Sequence, residues 1–328
     1  MDGVVSVDAV RAIVVGCGSI GRRHVANLLD AGADKVTVVS SYAGCGEHFG
    51  GDPRVSVAGS LDAAFGDVAV VANDTVGHLA AAVALAERGV DLLVEKPLAA
   101  STEGVEALRD AAARSGAGVA VAYNMRLLPA LRRVRDIVAS GALGRLYFAR
   151  FEVGQYLPDW RAGRDYRETY SAHSDRGGGV ALDLSHELDC MRFFFGDPAH
   201  WKVLCARASE LEIDSEDVFE GMYAYASGFA CSVHLDYLEK GTRRRVRIVG
   251  SNGEIECDLA GKRTRIVIDG VETLLTDPAL FDMAATYVAE TAEFLATRGR
   301  GGGLASLEDG VWALRLLEDG HESGGGDV

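Results

Sequence analysis

The chain has 328 residues, 48% hydrophobic and 25% charged, with a formal net charge of −15. That length is enough for two domains with real cores. Acidity in both halves excludes an extended nucleic-acid surface and an anionic-membrane surface.

The first 120 or so residues alternate between two patterns. Strand-like runs are "RAIVVG", "KVTVVS", "VAVVAN", "DLLVEK" and "GVAVAY", and helix-like stretches cover residues 19–31, 78–88 and 102–115. The strand runs are almost continuously apolar, as in parallel strands buried on both faces. Strand and helix in turn predict a doubly wound parallel sheet.

The first strand runs straight into "GCGSIG", which sets Gly16, Gly18 and Gly21 in the G-x-G-x-x-G spacing, with Ser19 and Ile20 inside it. A strand before and a helix after is the context in which that spacing binds a dinucleotide. The first glycine allows a tight turn, the second lets a pyrophosphate approach the backbone, and the third lets helix and strand pack closely. The helix N-terminus adds N–H groups and a positive dipole end. The alternative is a glycine-rich packing turn with no ligand.

The second strand ends at Val39, and Ser40, Ser41 and Tyr42 follow. A carboxylate there would bind the ribose hydroxyls of NAD, and none is present. The serines suit a 2′-phosphate, and Arg22 and Arg23 on the first helix are within reach of it. Both NAD and NADP remain open, with a tilt towards NADP.

After Tyr123 the pattern changes. A helical stretch, "LLPALRRVRDIVASGALG", precedes longer alternating runs such as "RLYFARFEVGQYL", "DVFEGMYAYAS" and "FACSVHLDYLE", joined by short Gly/Ser/Asn turns. These predict a large, mostly antiparallel open sheet. One helix interrupts it near 181–195, and two close the chain near 281–298 and 306–319. The expected domains are therefore a dinucleotide-binding Rossmann domain over 1–123, an α+β domain over 124–320, and a flexible Gly-rich tail over 321–328.

The six cysteines form no C-x-x-C pair and stand in no ligand spacing with a histidine. They read as reduced thiols of a cytoplasmic protein, and no metal site is expected. No apolar run reaches membrane-spanning length, and the N-terminus shows no signal-peptide pattern.

"DLLVEKPLAAS" carries Glu95, Lys96 and Pro97 at the end of a buried strand. Together with "NDTVGHLAAAVALAERGV", "YNMRLLPALRRVRDIVASGALGR" and "GGGVALDLSHELDCMRFFFG", it resembles the Gfo/Idh/MocA family over nearly the whole chain. The resemblance implies an enzyme of Rossmann plus α/β architecture that oxidises or reduces a sugar or cyclitol carbon with NAD(P). It implies a homodimer or homotetramer formed through the C-terminal sheet. It puts Lys96 at the nicotinamide, and Glu95, Asn73, Thr75 and His78 against the cofactor. For Glu95 an ion pair, and for His78 a helix-start role, are the competing readings. Tyr123 and Arg126 are expected in the cleft between the domains, with helix entry and a surface ion pair as the alternatives.

Hydride removal from a carbinol leaves a proton to be taken up, and a lysine or histidine suits that task. Lys96 follows a strand C-terminus, where doubly wound sheets present their ligands. His186 is the second candidate. The family's helix reads Asp-x-x-x-His, whereas this chain reads Asp183-Leu184-Ser185-His186, one residue shorter. Asp183 is expected to orient the imidazole or to bind a substrate hydroxyl. The segment "PDWRAGRDYRETYSAH" concentrates Trp160, Arg161, Tyr166 and Arg167, which suits a nucleotide-linked, phosphorylated or acidic sugar. A solvated loop clamped by local ion pairs is the competing reading. Two other functions stay open: glycoside cleavage by transient oxidation on retained NAD, and a non-catalytic cofactor-sensing regulator.

Overall fold

The computed structural model describes residues 9–161 and 163–323. They divide into two compact units. One holds the described residues up to Leu98 together with Glu103–Ala122 and Tyr287–Leu307. The other holds Ala99–Thr102, Tyr123–Thr286 and the described residues from Glu308 onward. The second domain, expected to run unbroken over 124–320, thus loses residues 287–307 to the first unit.

In chain order the first unit begins with β1 (Arg11–Val15), α1 (Ser19–Asp30), β2 (Lys35–Val39), β3 (Val55–Ala58), β4 (Val68–Val71), α2 (His78–Ala86), β5 (Asp91–Val94), α3 (Val105–Ser115) and β6 (Val119–Val121). β1, β4 and β5 are buried almost throughout, as their continuous Val, Ile, Leu and Ala content requires. Each Val, Ile or Leu fully buried there contributes about 1.5–3 kcal/mol of transfer free energy.

The second unit carries α4 (Pro129–Ala139), β7 (Leu146–Gly154), α5 (Val180–Asp183), α6 (His186–Phe195), β8 (His200–Ala206), β9 (Val218–Ala224), β10 (Ala230–Asp236), β11 (Arg243–Gly250), β12 (Gly253–Asp258), β13 (Arg263–Ile268) and β14 (Val271–Leu275). The chain closes with α7 (Met283–Thr297), β15 (Ala305–Ser306) and α8 (Leu307–Ser323).

The first sheet has seven strands in the order β15-β6-β5-β4-β1-β2-β3. All its pairs are parallel except β15 on β6. β3 and β15 are additions to the five strands expected from the sequence. β3 sits at the sheet edge, half-exposed or exposed, and so lacks the apolar run that marks its neighbours.

The second sheet has eight strands in the order β14-β13-β12-β11-β7-β10-β9-β8. Only β7 and β10 pair in parallel. Register sends alternate residues to opposite faces. One face is core, with Phe151, Phe219, Tyr223, Val233, Leu235 and Ile248 buried. The other face shows Leu204, Met222 and Leu274 exposed among charged side chains. On that face the carboxylates of Asp236 and Glu220 lie 3.1 Å and 2.7 Å from the ring nitrogens of His234 and hold its pKa up, at about 9.

The helix expected near 181–195 is broken. α5 ends at Asp183, Leu184 leaves helical geometry at φ −105° and ψ 24°, and α6 starts at His186. Asp183 and His186 therefore do not occupy successive turns of one helix. α8 runs through Ser323, so the expected tail is helical at its start, and residues 324–328 lie outside the described residues. No described helix is long and apolar enough to cross a membrane.

Candidate active site

The first unit presents the glycine loop between β1 and α1. Gly16 has φ +105°, and a Cβ there would lie 2.5 Å from the Ala72 carbonyl oxygen. A Cβ on Gly21 would collide with the Gly16 carbonyl oxygen. These two glycines are demanded by the fold itself. Gly18 is different: its φ is −71°, and a Cβ there would meet nothing within 4 Å. Its backbone is bare towards open space, where Ser19 is exposed and Ile20 half-buried at the start of α1. Asn73, at the end of β4, donates Nδ2–H to the Asp74 carbonyl, while its Oδ1 is buried with no protein donor. A bare backbone at Gly18 and an acceptor left over at Asn73 fit a dinucleotide along this edge. Thr75 follows, half-buried, in the turn leading to α2.

Beyond β2, Ser40 is half-buried and accepts from the Tyr42 amide at 3.1 Å, and Ser41 is exposed. The two candidate arginines part company. Arg22 reaches the segment after β2, with Nη1 3.0 Å and 3.1 Å from the ring nitrogens of His48. Arg23 instead stacks 4.5 Å over the Tyr287 ring and is committed to packing.

At the end of β5, Lys96 is half-buried, and its amide donates to the Glu95 carboxylate at 3.1 Å. The other Glu95 oxygen lies 2.7 Å from Nε2 of His24. Burial pushes the Glu95 carboxyl up, but the His24 hydrogen bond and charge outweigh it and hold it below its ordinary value. Glu95 is thus paired with His24 inside the first unit. His78 is buried, with Nδ1 3.0 Å from the Pro97 carbonyl oxygen and Nε2 2.9 Å from that of Asn73. Both ring nitrogens face backbone carbonyls, one of them in the Lys96-Pro97 turn. Burial is the main reason its imidazole lies below its ordinary pKa.

In the second unit His186 opens α6, half-buried, with its ring edge-on to Tyr123 at 5.6 Å. The Tyr123 hydroxyl donates to Ser185 Oγ at 3.3 Å. Asp183 is buried and accepts from the Tyr237 hydroxyl at 2.6 Å. Burial, and then the Asp183 charge and hydrogen bond, raise Tyr170 well above its ordinary pKa, so two tyrosines hold this carboxylate. Trp160 packs edge-on against Tyr237 at 5.2 Å, and Arg161 lies 5.9 Å over the Tyr170 ring. Trp160, Arg161, Arg164 and Tyr166 share the lining of a small hollow with Leu157 and Ser171.

Two expected substrate residues are taken up elsewhere. Arg126 is buried and pairs with Asp189 at 2.6 Å and Asp309 at 3.1 Å. It neutralises interior carboxylates, so it is a buried ion pair and no surface one. Arg167 is held by Asp165 at 2.7 Å and Glu212 at 2.8 Å, as in a loop clamped by ion pairs.

Sequence reasoning missed His24 and Tyr237. His24 shares the buried stripe of α1 with Gly21, Val25 and Leu28, and a histidine in such a stripe is a readable signal. Tyr237 sits just past the end of β10, and nothing local marks it as the partner of Asp183.

Residues 10–123 match the oxidoreductase family with an NAD-binding Rossmann fold, and residues 131–256 match the GFO/IDH/MocA C-terminal domain. The chain belongs to the Gfo/Idh/MocA family. As a Gfo/Idh/MocA protein it is an NAD-binding oxidoreductase. The 1,5-anhydro-D-fructose reductase of Ensifer adhaerens is 28% identical over 320 residues, covering 92% of each chain. A myo-inositol dehydrogenase of Streptomyces leeuwenhoekii is 31% identical over 188 residues, 56% of this chain and 55% of that one. An oxidoreductase from Agrobacterium radiobacter, solved with NAD+, L-tartaric acid and magnesium, superposes with a TM-score of 0.81 at 21% identity, covering 96% of each chain. That likeness shows the Gfo/Idh/MocA fold.

Proposed function

We propose that the chain moves a hydride between a nicotinamide dinucleotide and a hydroxyl- or keto-bearing carbon of a sugar or cyclitol. Lys96 just past the end of β5 carries this reading, because a buried carboxylate holds its amide and a buried histidine faces the carbonyl of the following Pro97. The bound nicotinamide supplies or accepts the hydride. Lys96 handles the proton of the substrate oxygen, as a positioned acid or base. His186 and Asp183 engage substrate hydroxyls. Gly16, Gly18, Ser19, Ile20 and Gly21 hold the pyrophosphate. The names of the reductase and inositol dehydrogenase relatives support the sugar or cyclitol class. Trp160 and Arg161, beside Tyr166, support an anionic or nucleotide-linked sugar, since guanidinium forks suit phosphate and carboxylate. Arg22 and the absence of a carboxylate after β2 support acceptance of NADP. The test is mass spectrometry of retained cofactor, then absorbance of reduced nicotinamide with NAD and NADP across neutral, phosphorylated, acidic and nucleotide-linked sugars. No turnover with any of these would overturn the reading. Tightly retained NAD with glycoside cleavage and no net redox change would replace it.

His186→Ala is expected to lower turnover by about a hundredfold or more, the usual worth of a positioned acid or base. Dinucleotide affinity should stay within a factor of about two, because the glycine loop belongs to the other unit. Near-normal turnover would make His186 a packing residue.

We also propose a homo-oligomer formed through the open face of the second sheet. The other face of this eight-stranded sheet is core, and Leu204 and Met222, on the neighbouring strands β8 and β9, are exposed on the open one. Light scattering at micromolar concentration should give twice or four times the 34.7 kDa chain mass. A monomer would count against it.

A further inference from the structure

His24 has no part in the chemistry described so far, yet it is fully buried and hydrogen-bonded to a carboxylate. It lies on α1 three residues beyond Gly21, with no exposed surface. Its Nε2 is 2.7 Å from one oxygen of Glu95, and the second oxygen accepts the Lys96 amide at 3.1 Å. Its Nδ1 is buried with no hydrogen-bond partner among the described residues. Stability alone does not explain such an arrangement. A buried ion pair is often no more stabilising than apolar side chains of the same volume, and an orphaned ring nitrogen adds a cost. What the pair does achieve is mechanical. It ties α1, which begins at the glycine loop, to the backbone of Lys96.

We propose that His24 is a positioning residue for Lys96, acting through Glu95. The inference rests on the reading of Lys96 as the proton-handling group. The Glu95 carboxylate has two oxygens to distribute, and His24 takes one of them. With that oxygen held, the other points at the Lys96 amide and fixes where the side chain leaves the backbone. On the far side, His78 faces the carbonyl of Pro97 at 3.0 Å. Lys96 is thus held at its own amide, and the residue after it faces His78 through its carbonyl. A lysine side chain is long and flexible, so where it leaves the backbone bears on where its ammonium can go. A misplacement of about 1 Å at a reacting group can cost about a hundredfold in rate.

His24→Leu removes the donor and leaves the volume filled. His24→Gln keeps an N–H near the position of Nε2. Single-turnover hydride transfer should fall by about tenfold or more in His24→Leu, with dinucleotide affinity within about twofold, and His24→Gln should recover most of the rate. Glu95→Gln should lose rate in the same way, which provides a second variant should His24→Leu fold poorly. In a Lys96→Met background, His24→Leu should add no further loss, because the two changes act through one group. A packing role for His24 would lower the melting temperature and leave the rate of the folded fraction, and the double-mutant cycle, additive. Wild-type rates in His24→Leu or in Glu95→Gln, while Lys96→Met collapses, would overturn this inference alone. A wild-type rate in Lys96→Met would remove the reading on which it stands and the inference with it.

Discussion

Lys96→Met is expected to lose hydride transfer by about a hundredfold or more while binding dinucleotide as the wild type does. Methionine has nearly the length of lysine and suits a half-buried position at a strand end. The Glu95 carboxylate grips the backbone amide of residue 96, and this contact does not depend on the side chain. The glycine loop, the Asn73 acceptor and β5 all remain. What disappears is an ammonium group able to give and take a proton. Lys96→Arg should recover little, because a guanidinium stays charged near neutral pH and cannot cycle a proton. Single-turnover rates and fluorescence titration of the dinucleotide on the same preparation decide the matter. Equal rates in wild type and Lys96→Met would remove Lys96 from the chemistry. Joint loss of rate and cofactor affinity would make it a cofactor anchor and move the proton to His186.

Gly18→Val should fold normally and lose dinucleotide affinity by about a hundredfold, or about 2.7 kcal/mol. The expectation comes from a contrast among three glycines. A side chain at Gly16 or Gly21 would strike backbone atoms of the protein, so substitution there destabilises the fold. Gly18 has an ordinary φ, and a Cβ would enter open space. Only a ligand lying along that backbone makes a branched side chain harmful there. The measurement pairs thermal unfolding without cofactor with calorimetric titration of the dinucleotide. A melting temperature near wild type with lost affinity fits the placement. Unchanged affinity in the folded variant would refute it.

The sequence by itself determined the two kinds of sheet, the glycine loop and the singling out of Lys96. Each is a local property of the chain. Continuous Val, Ile and Leu runs mark strands covered on both faces, and alternation marks strands covered on one. The glycine spacing is legible within six residues, although the close approach that requires Gly16 comes from Ala72. Only the tertiary structure decided which charged groups are spent inside the fold. Arg126 looks the same in the sequence whether it meets a substrate or Asp189, which lies 63 residues away. Glu95 and His24 lie 71 residues apart, and nothing near either names the other. The break at Leu184 and the two-residue β15 were equally illegible. The first adjoins Asp183, whose tyrosine partners come from distant segments, and the second is too short to show a period. Pairing of polar groups is set by which surfaces the fold brings together, and that information is spread over the whole chain rather than written at either residue.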